Sequence, residues 1–191
     1  MNQPLVNVPL GAEPLPIARD GQRSIEALVR EHLTYVYRLL RHLGVPPGDV
    51  DDGVQQVFLT LNRKLSEVQA GRERAYVSAV AVRIASRWRR THRRRGEEYD
   101  SAGLAERVCQ GLSPEGQLDR AQAEQTLLAI LSSLPEKLRE VFVLFELEEL
   151  TLMEISLVLQ IPKGTAASRL RLARERFNLE IATLETSGRK P

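Results

Sequence analysis

The hydrophobic positions fall into blocks with helical spacing. Ile25, Leu28, Val29, Val36, Leu39, Leu40 and Leu43 recur at three- and four-residue steps, which predicts a helix over 25–43 with one buried face. Gly44 stops it, since glycine readily takes the left-handed conformation that ends helices. Pro46, Pro47 and Gly48 predict a turn, with Asp49 placed to cap the next helix. There Val50, Val54, Val57, Phe58, Leu61 and Leu65 form the apolar stripe, and the opposite face carries Asp52, Gln55, Gln56, Leu59, Asn62 and Arg63. Gly53 inside this helix costs ~1 kcal/mol relative to alanine. After a loop near 69–71, a third helix is predicted from Arg74 to Arg94. Its apolar side is Tyr76, Val77, Val80, Ala81, Ile84 and Trp88, and its other faces present Arg83, Arg87, Arg90 and Arg94.

The period fails in two places. Residues 1–23 contain Pro4, Pro9, Pro14 and Pro16 and are expected to form a disordered extension. Residues 96–122 are interrupted by Gly96, Gly103, Gly111, Pro114 and Gly116, and are expected to be a linker with a helical turn at most around Leu104–Val108. A flexible chain of that length spans roughly 30 Å. Helix resumes at Ala123. Leu127, Leu128, Ile130 and Leu131 lead to a break at Leu134–Pro135, and Leu138, Val141, Phe142, Leu144 and Phe145 form the next buried face. The expected fold is all-α. Two small helical domains, a three- to four-helix bundle over 24–95 and a second unit over 123–181, are joined by the flexible linker 96–122 and followed by a tail, 182–191.

The second unit holds the most specific pattern. Thr151 is a good N-cap, and Glu154 three residues on completes a capping box. Leu152, Ile155, Val158 and Leu159 make a short amphipathic helix, and Gln160, Ile161 and Pro162 make a tight turn. Gly164 and Thr165 then open a helix carrying Ala166, Leu170, Leu172, Ala173 and Phe177. Two short helices joined this way match a helix-turn-helix, whose second helix enters the DNA major groove. Ala166 and Ala167 allow close approach. Lys163, Ser168, Arg169, Arg171 and Arg174 supply donors for phosphates and for guanine N7 and O6.

Charge sharpens this picture. The net charge is only +2, yet residues 72–95 hold nine arginines and one acid, Glu73, while 136–154 hold six glutamates against Lys137 and Arg139. One strongly basic and one acidic surface suit two different partners, and the basic one suits a polyanion. With the single cysteine Cys109 no intrachain disulfide forms, which fits a reducing compartment. No apolar run approaches the ~18–20 residues of a membrane span, and 1–23 lacks the pattern of a signal peptide. A cytoplasmic protein is expected. His32, His42 and His92 have no partners at metal spacing, and nucleotide-loop and nucleophile motifs are absent from the sequence. Neither an enzyme, a cofactor nor a metal site is expected. Glu146, Glu148 and Glu149 read as a solvated or partner-facing surface, and Cys109 as an inert thiol.

These strings resemble the sigma-70 family of RNA polymerase sigma factors. The run 134–142, LPEKLREVF, resembles the start of region 4, and 150–177 is similar to that family's reader of the −35 promoter element. The run 51–65, DDGVQQVFLTLNRKL, resembles region 2.2, which docks on the clamp helices of the largest polymerase subunit. The run 75–95 looks like regions 2.3–2.4, which melt and read the −10 element. No segment resembles region 3, which points to the compact extracytoplasmic-function (ECF, group 4) subfamily.

The resemblance implies core polymerase and promoter DNA as partners, with an anti-sigma factor as a further one. It assigns Asp52, Gln55, Gln56, Leu59 and Asn62 to polymerase docking. Arg83, Arg87, Trp88, Arg90, Arg93 and Arg94 go to the −10 element. Lys163, Gly164, Thr165, Ala167, Ser168, Arg169, Arg171 and Arg174 go to the −35 element. Trp88, on the apolar stripe, also reads as a core residue. Gly53 stands where this family usually has an aliphatic residue, Gln160 where a turn glycine is usual, and Arg83 and Arg87 where Asn and Asp are common. The function implied is promoter-specific initiation. The alternative is a helix-turn-helix regulator that binds as a dimer to a palindromic site, without sigma activity.

Overall fold

The computed structural model describes residues 24–95 and 114–187, apart from the side chains of 93–95, 114–120, 185 and 187. The expectations for 1–23, for the turn at Leu104–Val108 and for Cys109 lie outside these residues.

Helix α1, Ile25–His42, starts where Ser24 Oγ accepts the Ala27 N–H at 3.2 Å. It ends at Gly44, whose φ of 87° is the left-handed value that glycine tolerates best. Helix α2, Pro47–Lys64, begins two residues before the expected cap Asp49. Proline at the first helical position has its φ already set, so extended Pro46 ends the turn and Asp49 falls in the first helical turn. A 3-10 turn, Leu65–Glu67, leads to α3, Glu73–Arg95.

These three helices pack on one another around Leu28, Leu39, Leu40, Val50, Val57, Leu61 and Val77, all fully buried. Fully burying one such side chain contributes about 1.5–3 kcal/mol. Tyr35 and Ser78 close one edge of this core with a buried hydroxyl–hydroxyl bond of 2.6 Å.

Helix α4 runs Pro114–Ser133, so helix resumes at Pro114 rather than at Ala123. Proline again suits a helix start, and Gly116 is tolerated within it. Pro135 separates α4 from α5, Glu136–Phe142. The Arg139 guanidinium turns back to donate to the Ser132 and Leu134 carbonyls at 2.6 and 3.2 Å, satisfying the end of α4. Burial, and then the neighbouring Arg89, lower Arg139 to about 10, which leaves it charged at neutral pH.

Beyond α5 the chain widens into a π-helical turn, Val143–Leu147, in which the Glu148 N–H bonds the Val143 carbonyl five residues back. Glu149 follows at φ 56°, unusual for a residue with a side chain. Then come α6, Leu152–Leu159, and α7, Lys163–Ser187. Helix α7 continues into the segment read as a tail, as far as Ser187. Ala166, Leu170 and Ala173 are buried against α5 and α6, and Phe177 stacks on Phe142 at 4.5 Å. Leu172 is 41% exposed. It lies two residues from Leu170, about 200° around the helix.

The N-terminal bundle and the C-terminal unit touch. Helix α6 packs against α3, and α4 against α1.

Candidate nucleic-acid interface

The helix-turn-helix is α6, a tight turn and the first half of α7. Thr151 Oγ1 accepts the Glu154 N–H, while the Glu154 carboxylate accepts the Thr151 N–H at 2.8 Å, a reciprocal capping box. These bonds to Thr151 hold the Glu154 carboxyl below the usual carboxylate range. Gln160, in place of the usual turn glycine, takes the left-handed conformation itself, at φ 54°. Ser156 Oγ donates to the Ile161 carbonyl at 2.6 Å and ties the turn to α6.

Helix α7 then presents Lys163, Gly164, Ala167, Ser168, Arg171 and Arg174 on its exposed side, with Thr165 and Arg169 half-buried. Two of these arginines already hold acids. Arg171 contacts Glu175 and Arg174 contacts Glu146, each at 2.5 Å, and Arg174 also lies over the Phe145 ring. DNA would therefore have to displace carboxylates to reach these two guanidiniums.

Helix α3 has three distinct sides, roughly 120° apart at 3.6 residues per turn. Val77, Val80 and Ile84 face the N-terminal core. Arg83, Arg87 and Arg90 form an exposed stripe. The side chains of Arg93 and Arg94 lie outside the described residues. Trp88 is half-buried against the core and stacks on His92 at 4.7 Å.

The third side is Arg74, Ser78, Val82, Ser86 and Arg89. Val82 is 7% exposed and Arg89 is half-buried, and this side was absent from the expected pattern. It lies beneath the C-terminal unit. Arg89 Nη2 donates to Glu136 and Glu140 at 2.9 and 2.8 Å, and its Nη1 donates to the Leu43 carbonyl. Ser86 Oγ donates to Glu136 at 2.8 Å. Burial raises the Glu140 carboxyl, and Arg89 opposes that rise.

At the other end of this side, Arg74 donates to the Glu148 carbonyl at 2.7 Å. The Glu148 side chain is fully buried, 3.5 Å from both Arg38 and His42. The solvated or partner-facing surface expected for Glu146, Glu148 and Glu149 is therefore wrong for Glu148, which is buried inside the chain. The π-helical turn and the left-handed Glu149 rotate it inward, while Glu149 itself is exposed. Among the described residues no cluster of acids, histidines or cysteines is arranged to hold a metal ion.

On α2, Asp52, Gln55, Gln56, Leu59 and Asn62 are all exposed on one face, with Leu59 at 47%. Gly53 lies on the opposite, buried face against Leu40 and Ile84. It therefore belongs to the packing of the bundle and not to that outer surface.

Among the described residues every element is helical, with a basic helix in one unit and a helix-turn-helix in the other, the layout of a DNA-binding protein. The comparisons with known proteins agree. Residues 28–95 match the model of sigma-70 region 2, and residues 124–177 match that of sigma-70 region 4. The ECF RNA polymerase sigma-E factor of Escherichia coli (strain K12) is 27% identical over 179 residues, covering 88% of this chain and 92% of that one. The ECF RNA polymerase sigma factor SigE of Mycolicibacterium smegmatis is 28% identical, covering 83% and 62%.

Two solved structures share the fold. CnrH, in complex with the cytosolic domain of CnrY, has a TM-score of 0.62 at 21% identity over 86% of this chain and 91% of that one. The sigma factor RpoE of Bartonella quintana, in complex with the anti-sigma factor NepR, has a TM-score of 0.66 at 16% identity over 82% and 96%. The chain belongs to the sigma-70 family, in its extracytoplasmic-function branch. It is a sigma factor, a transcription initiation factor that works with core RNA polymerase at promoter DNA.

Proposed function

We propose the following division of labour among its residues. The outer face of α2, through Asp52, Gln55, Gln56, Leu59 and Asn62, docks on the clamp helices of core polymerase. The stripe of Arg83, Arg87 and Arg90, together with Arg93 and Arg94, tracks the opened −10 strand, with Trp88 as a stacking surface at its edge. Helix α7, from Lys163 to Arg174, reads the −35 element through the major groove, with Gly164, Thr165 and Ala167 permitting close approach and Ser168, Arg169 and Arg171 donating. The polymerase supplies the chemistry, and the sigma factor itself catalyses nothing.

The observation that carries this reading is the exposure of all three surfaces on separate helices of one chain. Leu59 is the clearest case, a large apolar side chain left in solvent among polar neighbours. The resemblance of CnrH and RpoE, each solved with a protein bound, supports an anti-sigma factor as a further partner. Among the described residues no helix is long and apolar enough to cross a membrane, which supports work in the cytoplasm beside the polymerase.

The test is run-off transcription with core polymerase on promoter-bearing templates. The expected result is protein-dependent initiation at a shared bipartite motif, lost in Gln55→Ala/Gln56→Ala/Leu59→Asp at unchanged thermal stability. Binding to duplex DNA as a dimer, with no effect on core polymerase, would sink the proposal in favour of a stand-alone regulator.

A further inference from the structure

The last turn of α1 carries a cation that nothing compensates. Arg41 is only 8% exposed, yet its guanidinium meets no acceptor among the described residues. Capping of α1 does not account for it. The Leu40 and Arg41 carbonyls accept the Val45 and Gly44 N–H groups, and the Leu43 carbonyl accepts from Arg89. Arg139 is a second buried guanidinium at the same place, 9% exposed. Its Nη2 donates to the Ser132 and Leu134 carbonyls, but Nε is buried without a partner and Nη1 makes no hydrogen bond. Gly44 makes room for that Nη1, since a methyl group at Gly44 would collide with it.

Both guanidiniums line one cavity of about 70 Å3, set between the turn at 44–47 and helix α4. Roughly 10–15 Å3 of such space holds one water, so the cavity admits an ion of several atoms. No carboxylate belongs to its lining. The acids of the neighbourhood are engaged elsewhere, Glu136 and Glu140 with Arg89, and Glu148 with Arg38 and with the His42 Nδ1. Burying a charge is costly unless it is paired. Burial, and then Arg89, already lower Arg139 to about 10, the mark of a cation short of opposite charge.

We propose that this cavity binds a phosphate-type oxyanion between Arg41 and Arg139. A guanidinium fork matches two oxygens at a time. One fork satisfies a flat carboxylate, whereas two forks across a small space suit a tetrahedral group with more oxygens. The cavity contains no residue of the outer face of α2, the arginine stripe of α3 or helix α7, so the site stands apart from promoter reading. Free inorganic phosphate and the terminal phosphate of a small nucleotide share this chemistry.

Calorimetric titration of the full chain with sodium phosphate, at an ionic strength held constant with sodium chloride, tests the site. Saturable binding is expected, with a melting temperature that rises with occupancy. Arg41→Met keeps the apolar stem and removes the donors. It is expected to weaken phosphate binding at least about tenfold, the loss expected for a hydrogen bond to a charged group. In chloride alone it is expected to melt no lower than wild type, because a buried charge without a partner has gone. A lower melting temperature there would mark Arg41 as a structural cation and overturn the site. Arg41→Lys keeps the charge without the fork and is expected to fall between the two. Arg30→Met, at an exposed position of the same helix, should leave phosphate binding unchanged.

ADP distinguishes the two sources. Competition for the Arg41-dependent site at lower concentration than phosphate would make a nucleotide the carrier, and weaker competition would leave the free ion. Absence of saturable binding to wild type overturns the proposal. So does phosphate binding that survives in Arg41→Met, which would place the ion on the arginines of α3 or α7.

Discussion

Gly53 of α2 faces Leu40 of α1 so closely that a methyl group at Gly53 would lie 3.0 Å from the Leu40 Cδ1. Alanine in a helix interior gains about 0.8–1.0 kcal/mol over glycine, whereas overpacking a core costs about 1–3 kcal/mol. Leu40 is fully buried, so its side chain has little room to retreat, and Ile84 Cγ2 would lie 3.8 Å from the same methyl group. Gly53→Ala is expected to destabilise by about 1 kcal/mol. Adding Leu40→Val should recover much of that loss if the clash is its cause. Urea unfolding of wild type and the two variants checks this.

The Tyr35–Ser78 bond predicts an asymmetry. Ser78 also donates to the Arg74 carbonyl at 2.7 Å, so Tyr35→Phe leaves Ser78 satisfied and should cost about 0.5–1.5 kcal/mol. Ser78→Ala takes the acceptor from the buried Tyr35 hydroxyl, leaving it only Arg74, and should cost about 1–3 kcal/mol. Burial raises the Tyr35 hydroxyl above 10.0, and Tyr76 likewise. Above that pH the unfolded chain loses these protons before the folded one, so stability falls as pH rises. Unfolding midpoints between neutral and strongly alkaline pH should fall less steeply in Tyr35→Phe than in wild type.

The capping box has its own pH signature. Thr151→Ala should cost about 1 kcal/mol. Because Glu154 lies below 4.5 in the folded protein, its contribution is fully present above that value and lost as pH falls through the lower one. Acid unfolding of Glu154→Gln should therefore show a shallower pH dependence than wild type. Equal slopes would mean that the box contributes nothing in solution.

The paired arginines of α7 predict opposite responses from neighbouring positions. Lys163→Ala should weaken all DNA sequences alike and reduce the salt slope by about one. Arg171→Ala should cost about 1–3 kcal/mol of discrimination at the base it contacts. Glu175→Gln should tighten binding, since Arg171 then leaves no carboxylate behind. Filter binding across a salt series, with promoter and scrambled duplexes, separates these outcomes.

Most of the fold was legible because one apolar stripe per helix is enough to reveal a bundle. Val50, Val57 and Leu61, or Ala166, Leu170 and Ala173, mark faces that each meet a single unit, their own. Helix α3 meets two, and its second contact is made by Arg74, Ser78, Ser86 and Arg89, residues whose types read as solvent-facing. Glu148 was misread for the same reason. The charge of a side chain says nothing of a backbone distortion that turns it inward, and no residue type announces a π-helical turn. The starts at Pro47 and Pro114 were misplaced because proline signals both a loop and a first helical turn. The exposed residues expected on α2 and α7 were readable because they only had to avoid the apolar stripe. Leu59 was placed outward by its register with Gln55, Gln56 and Asn62, against what its hydrophobicity alone argues.

Helix α3 has no idle side. One of its sides seals the N-terminal core, one carries the arginine stripe and one lies beneath the C-terminal unit. Inserting a single residue within it would rotate everything beyond by about 100°. Core positions, arginine stripe and buried charges would then exchange places together. This helix is therefore expected to tolerate exchanges between similar residues far better than any change of length, and in a library of insertions across the chain it should stand out as a block with no survivors.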